Sequence, residues 1–217
     1  VEVKEAQSYQ SLLPRRQVII ALIGAMLSMF LGSIFITITA TAMPRIITDL
    51  GGFSQYTWVF TSYIITETIA VPLTGKLSDM YGRKWFFIAG MAIFTLGSFL
   101  CGICQSMNQL IFFRAFQGIG FGMMSALGFI VIADIFPPEE RGKYIGLMSG
   151  VFGLSTIIGP TLGGYLTDTL SWRWCFFVPI PIGAIIILMF ILMFPQLKVG
   201  GVRHRIDYGG AMTMTLF

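Results

Sequence analysis

Residues 18–42 read VIIALIGAMLSMFLGSIFITITATA, a run without a charged side chain. A helix rises about 1.5 Å per residue and the hydrocarbon core of a bilayer is about 30 Å thick, so this run is long enough to cross it. Inside hydrocarbon every backbone group must find its partner within the protein, and a long apolar run does so as a helix. Five more apolar runs follow at residues 57–73, 85–104, 110–133, 144–166 and 174–194, two of them interrupted by a single charge, Glu67 and Arg114. The sequence therefore predicts an all-α membrane protein with a six-helix bundle over residues 18–194. Residues 1–17 precede the bundle, residues 195–207 form a connection, and residues 208–217 begin a seventh apolar segment that ends too soon to span. The first run follows a polar stretch and is too long for a signal-peptide core, so no cleavable signal is expected.

Composition agrees. Hydrophobic residues make up 55% of the 217 and charged residues 11%, against about 25% charged in soluble domains. Such a chain has too little polar surface to stay in water. The net charge of +4 is dispersed in short clusters between the apolar runs, which argues against a nucleic-acid surface. Lys4, Arg15, Arg16, Lys76, Arg83, Lys84, Arg141, Lys143, Lys198, Arg203 and Arg205 fall on one side of the predicted membrane, and only Arg45 and Arg173 on the other. The positive-inside rule then makes the N-terminus cytoplasmic in a multi-pass protein of the cell membrane. Cys101, Cys104 and Cys175 lie in apolar surroundings with His204 as the single histidine, so neither a metal site nor a redox role is expected. No nucleophile with a base stands at helical spacing, and the connections are too short for a catalytic domain, so the chain is not read as an enzyme.

A charge inside hydrocarbon is the exception that needs a reason. Arg114 either faces the bundle interior or snorkels to the interface; Gln117, Gly118, Gly120 and Gly122 beside it favour the interior. Glu67 has Thr61, Ser62, Thr66 and Thr68 nearby. It can exchange a proton, remain an anion that selects cationic ligands, or serve as a structural partner. Asp134 stands seven residues before Arg141, and the two are expected to form an interfacial ion pair. The fifth run carries Gly146, Gly150, Gly153, Gly159, Pro160, Gly163 and Gly164, a composition for close packing and for a kink at the proline. Residues 75–84, GKLSDMYGRK, lack the spacing of a phosphate-binding loop. They are expected to turn tightly at Gly75 and Gly82, with Asp79 accepting hydrogen bonds from the first turn of a neighbouring helix.

Residues 75–84 resemble the signature loop between the second and third helices of the major facilitator superfamily. Residues 114–120, RAFQGIG, look like its fourth-helix arginine motif, and residues 153–164, GLSTIIGPTLGG, are similar to its fifth-helix antiporter motif. Residues 40–44, ATAMP, and 172–177, WRWCFF, followed by Pro181, Ile182 and Gly183, resemble the branch of fourteen-helix drug:proton antiporters. The resemblance implies the N-terminal half of a transporter built of 3+3 inverted repeats, with residues 208–217 opening one of the extra helices of that branch. It implies that Gly75, Asp79, Gly82, Arg83 and Lys84 form a gating loop acting on the C-terminal half, that half being the partner this chain lacks. Arg114 would assist proton coupling, and Gly153, Gly159, Pro160, Gly163 and Gly164 would shape the conformational change. The proton gradient takes the place of a cofactor. Two positions depart from the pattern: Phe35 stands where the branch commonly has an acid, and Glu67 where it has a small residue. The expected function is proton-coupled export of drugs or other toxic amphiphiles across the lipid bilayer, through a cavity lined by aromatic and Met side chains. Glu67 and Arg114 would carry proton coupling or substrate charge. Transport of a specific metabolite, or a scaffold or sensor role, are the other readings.

Overall fold

The computed structural model describes residues 15–193, which form seven α-helices and one short 3-10 turn. The helices are α1 (Arg15–Leu50), α2 (Tyr56–Tyr81), α3 (Arg83–Ile103), α4 (Met107–Ile135), α5 (Pro138–Thr169), α6 (Trp174–Phe177) and α7 (Pro179–Met193). The short α6 and α7 make one crossing, interrupted at Val178 where Pro179 lacks a backbone donor. The expected all-α six-helix membrane bundle is therefore present. The expected segments 195–207 and 208–217, with the start of a seventh helix, lie outside the described residues, as do residues 1–14.

Five of the crossings are long and apolar enough to span by composition alone. The other is α2, whose 26 residues suffice in length but whose serines, threonines and Glu67 lower its apolarity. It is held instead along its length against α4. Helix ends follow local chemistry. Gly51 and Gly52, both at positive φ, stop α1. Ser106 caps α4 by accepting from the Gln109 amide at 3.4 Å. Pro138 opens α5, and Glu139 and Glu140 lie in its first turn, where the helix dipole favours anions.

Residues 75–84 correct the expectation of a ten-residue turn. The chain stays helical through Gly75 to Tyr81 and restarts at Arg83, leaving Gly82 alone, at φ 96°, to reverse direction. A glycine tolerates that angle without a Cβ clash, and one such residue is enough. Pro160 lies inside α5, which runs on through it.

Two glycine seams hold the bundle. Helices α2 and α4 run side by side in the same direction, so that Arg114 sits beside Val59, Gly118 beside Tyr63 and Gly122 beside Glu67. A Cβ at Gly118 would strike the Tyr63 carbonyl and the Thr66 hydroxyl, and one at Gly122 the Glu67 backbone. Helices α1 and α5 repeat the arrangement. Ser155 donates to the Phe30 carbonyl at 3.4 Å, Gly159 faces Ile34 and Thr37, and Gly163 faces Ile38 and Thr41. Each pairing joins the first helix of one three-helix unit to the second helix of the other, as two units related by a pseudo-twofold axis would. On its far side α4 meets α3, where Gly120 approaches Gly90 and Phe94, and Gly97 approaches Gln117.

Phe35 is fully buried, edge-on to Phe94 at 5.3 Å and 6.0 Å from Phe176. This position is a corner of an aromatic core. The outward face of α5 is different: added Cβ atoms at Gly142, Gly146, Gly150 and Gly153 would meet nothing.

The seams predict an asymmetric tolerance to bulk in this chain. Gly118→Leu and Gly159→Leu should each destabilise the bundle by about 1–3 kcal/mol through overpacking, whereas Gly150→Leu should leave it unchanged. Thermal unfolding of the purified protein in detergent checks this; equal effects at all three positions would show that the seams do not limit stability.

Candidate functional site

A buried polar line crosses from α2 through α4 to α3. Arg114 enters it from the second turn of α4 and is fully buried. Its Nε donates to the Val59 carbonyl at 3.4 Å, its Nη1 to Gln117 Oε1 at 2.7 Å, and its guanidinium lies 4.2 Å from the centre of the Tyr63 ring. Gln117 passes the line on by donating to Ser98 Oγ at 2.6 Å, and Ser98 donates to the Phe94 carbonyl at 3.0 Å. The arginine therefore points inward, and of its two sequence readings the snorkelling one does not hold. Among the described residues no carboxylate lies within ion-pair distance of it. Carbonyl, amide and aromatic face solvate the cation instead, contacts that stabilise it where water is excluded.

Glu67 stands on the same helix as Tyr63, one turn further along, and is half-buried. It has no hydrogen bond or ion pair among the described residues, and Arg114 is the cation whose field reaches it. The two charges are thus neighbours in field without being partners in contact.

The second cluster lies where α2 turns into α3. Arg83, at the start of α3 and nearly buried, pairs with Asp79 at 3.1 Å and with Asp134, while its Nη1 reaches the Ile130 carbonyl at 3.4 Å. One guanidinium thereby ties α2, α3 and α4 together. Asp79 receives this side chain and not the helix amides expected for it. Gly75 is an ordinary helical residue, with only Ile130 at van der Waals distance from a Cβ. Lys84 donates to the Ile191 carbonyl at 2.9 Å, near the end of α7.

The expected Asp134–Arg141 ion pair is not formed. Arg141 donates to the carbonyls of Ala133 at 2.6 Å and Phe136 at 3.0 Å. The reason is the reversal at Pro137: it sets the first turn of α5 over the end of α4, where the last carbonyls have no intrahelical donor. A planar guanidinium fits such carbonyls well, and Arg83 is left to take Asp134.

At the opposite end of the bundle Trp172 donates from Nε1 to Asp49 Oδ2 at 2.7 Å. Arg173 stacks on Trp172 at 4.5 Å and donates to the carbonyls of Gly102 at 2.9 Å and Cys104 at 2.7 Å. Residues 172–177 therefore brace α1 and α3. Sequence reasoning missed this brace, as it missed Tyr63 and Ser98; only the position of Tyr63 four residues before Glu67 hinted at a shared face. Among the described residues no group of His, Cys, Asp and Glu is placed to hold a metal ion, and the three cysteines are free and buried. Of the predicted glycines on α5, Gly159 and Gly163 make close approaches, Gly164 an ordinary contact and Gly153 none.

Comparison with known proteins follows the same outline. The family model of the Major Facilitator Superfamily matches residues 25–205. The chain is 47% identical over 194 residues to Multidrug resistance protein 3 of Bacillus subtilis, an overlap of 89% of this chain and 38% of that protein. It is 41% identical over 191 residues to the multidrug transporter protein MdtP of the same organism, covering 88% and 35%. An uncharacterized transporter of Schizosaccharomyces pombe is 35% identical over 219 residues, covering 99% and 37%. The chain thus spans little more than a third of the length of these relatives.

The choice of partner for Asp134 is testable by double-mutant cycles on unfolding. Arg83→Ala with Asp134→Asn should show an interaction energy in the range of about 0.5–3 kcal/mol, and Arg141→Ala with Asp134→Asn additivity within about 0.5 kcal/mol. The opposite pattern would restore the pair expected from sequence.

Proposed function

Because this chain belongs to the Major Facilitator Superfamily, we propose that it is the N-terminal half of a proton-coupled exporter of drugs or other toxic amphiphiles, in the fourteen-helix drug:proton antiporter branch. The observation that carries the proposal is a fully buried arginine, Arg114, with no paired carboxylate and with the half-buried Glu67 within reach of its field. A charge held in that way is costly, and such residues in membrane helices mark ion or substrate routes. The names of the two Bacillus subtilis relatives support multidrug substrates.

The exchange follows from competition for one anion. Glu67 is neutralised either by a proton or by a cationic substrate, and the two exclude one another at the same carboxylate. A proton entering displaces the substrate, and a substrate entering from the other side displaces the proton. Arg114 keeps the site from holding both, since its fixed charge opposes excess positive charge nearby. The Asp79–Arg83–Asp134 cluster holds one of the two access states, and the C-terminal half supplies the surface against which these helices rock. Arg16, Lys76, Arg83, Lys84, Arg141 and Lys143 gather at the Gly82 end of the bundle, which supports a cytoplasmic N-terminus in the cell membrane.

The test uses the full-length transporter in proteoliposomes with an imposed proton gradient. Arg114→Ala should lower gradient-driven efflux by about tenfold or more, the scale of one lost charge-assisted contact. Glu67→Gln should do the same for cationic substrates and affect neutral ones less. Unchanged efflux of every substrate in both variants would overturn the assignment.

A further inference from the structure

Tyr63 poses a problem in hydrogen-bond accounting. Its side chain is 1% exposed, and its hydroxyl has no hydrogen-bond partner. A buried hydroxyl without a partner is costly, and in folded proteins nearly all such groups are satisfied. The surroundings show where its partner is to be found. Ser62 is committed to the Ile111 carbonyl at 3.1 Å, and Thr66 to the carbonyls of Ser62 and Tyr63, each at 3.0 Å. Gln117 is engaged at both ends, with Arg114 and with Ser98. The guanidinium on the Tyr63 ring is a donor only, and Cys101, the titratable group of α3 whose field reaches Arg114, is a weak acceptor. Glu67 remains. Its carboxylate is a strong acceptor with no hydrogen bond of its own among the described residues, and its charge acts on both Tyr63 and Arg114. The two residues stand four apart on α2, where side chains of a helix are neighbours.

We propose that Tyr63 is the donor that captures Glu67, so that the hydroxyl, the carboxylate and the guanidinium stacked on the same ring close into one Arg114–Tyr63–Glu67 triad. The arrangement described here is its open form. Closing needs rotation of the Glu67 side chain and no movement of helices, because Gly118 and Gly122 already fix α2 against α4 at these positions. In the closed form the carboxylate is ionised and satisfied by protein. In the open form it is free to take a proton or a cationic ligand. Tyr63 is then a positioning residue that decides when Glu67 is available, and this deepens the preceding reading of Glu67 while resting on it.

Tyr63→Phe removes the donor and keeps the ring beneath Arg114, so the fold is expected to survive. In the full-length transporter, Tyr63→Phe should lower gradient-driven efflux of a cationic dye by about tenfold, and should lower it no further when Glu67→Gln is already present. A second readout needs no transport. In purified protein reconstituted in lipid, the infrared bands of the ionised carboxylate that disappear in Glu67→Gln should move in Tyr63→Phe, as the hydrogen bond donated by the tyrosine is lost. Bands that stay in place, or losses of efflux that multiply in the double variant, would overturn the triad. A moved band in a protein that exports nothing would keep the triad and overturn the exporter.

Discussion

A guanidinium excluded from water must be solvated by the protein around it, and the placement of Arg114 is the condition that the rest of this bundle satisfies. Its neighbours come from three helices: a carbonyl and an aromatic face from α2, an amide from its own turn of α4, and through that amide a hydroxyl from α3. Those groups can converge only if the helices approach more closely than ordinary side chains allow. Glycines on α4 and α3 permit that approach. The seam between α2 and α4 is therefore both packing and electrostatics, since the backbone contact at Gly118 holds the Tyr63 ring where the cation needs it.

Four further cations among the described residues obey a related rule. Arg83, Lys84, Arg141 and Arg173 all donate to backbone carbonyls, those of Ile130, Ile191, Ala133 and Phe136, and Gly102 and Cys104 respectively. Apart from that of Ile130, these carbonyls lie in the last turn or at the cap of a helix, where unpaired acceptors and the negative end of the dipole coincide. Lys84, Arg141 and Arg173, which the sequence offered as topology signals, thus also complete helix ends in the fold.

Much of this was legible beforehand because it is local. The six crossings follow from apolar length, and the inward direction of Arg114 from the small residues beside it. What was missed depends on tertiary placement. The helical run through Gly75 to Tyr81 was hidden because two glycines and several polar residues look like a loop, yet α2 projects past its apolar stretch with α4 alongside. The partner of Asp134 was misassigned because nearness in sequence favoured Arg141, whereas the reversal at Pro137 aimed that side chain at carbonyls. Phe35 drew attention as a missing acid, and its role became clear only from the rings of α3 and α6 packed around it. The unmatched Tyr63 hydroxyl left no sequence signal beyond its place four residues before Glu67, since a tyrosine in an apolar run is ordinary until its neighbours are known.

Helices α3 and α6–α7 lie side by side, and each carries at its own beginning a cation that grips the far end of the other: Lys84 on α7 and Arg173 on α3. Two ropes tied to each other at both ends cannot slip lengthwise unless both knots are undone together. This pair is accordingly a stiff stave of the helix bundle, whose two members any lengthwise displacement has to carry together.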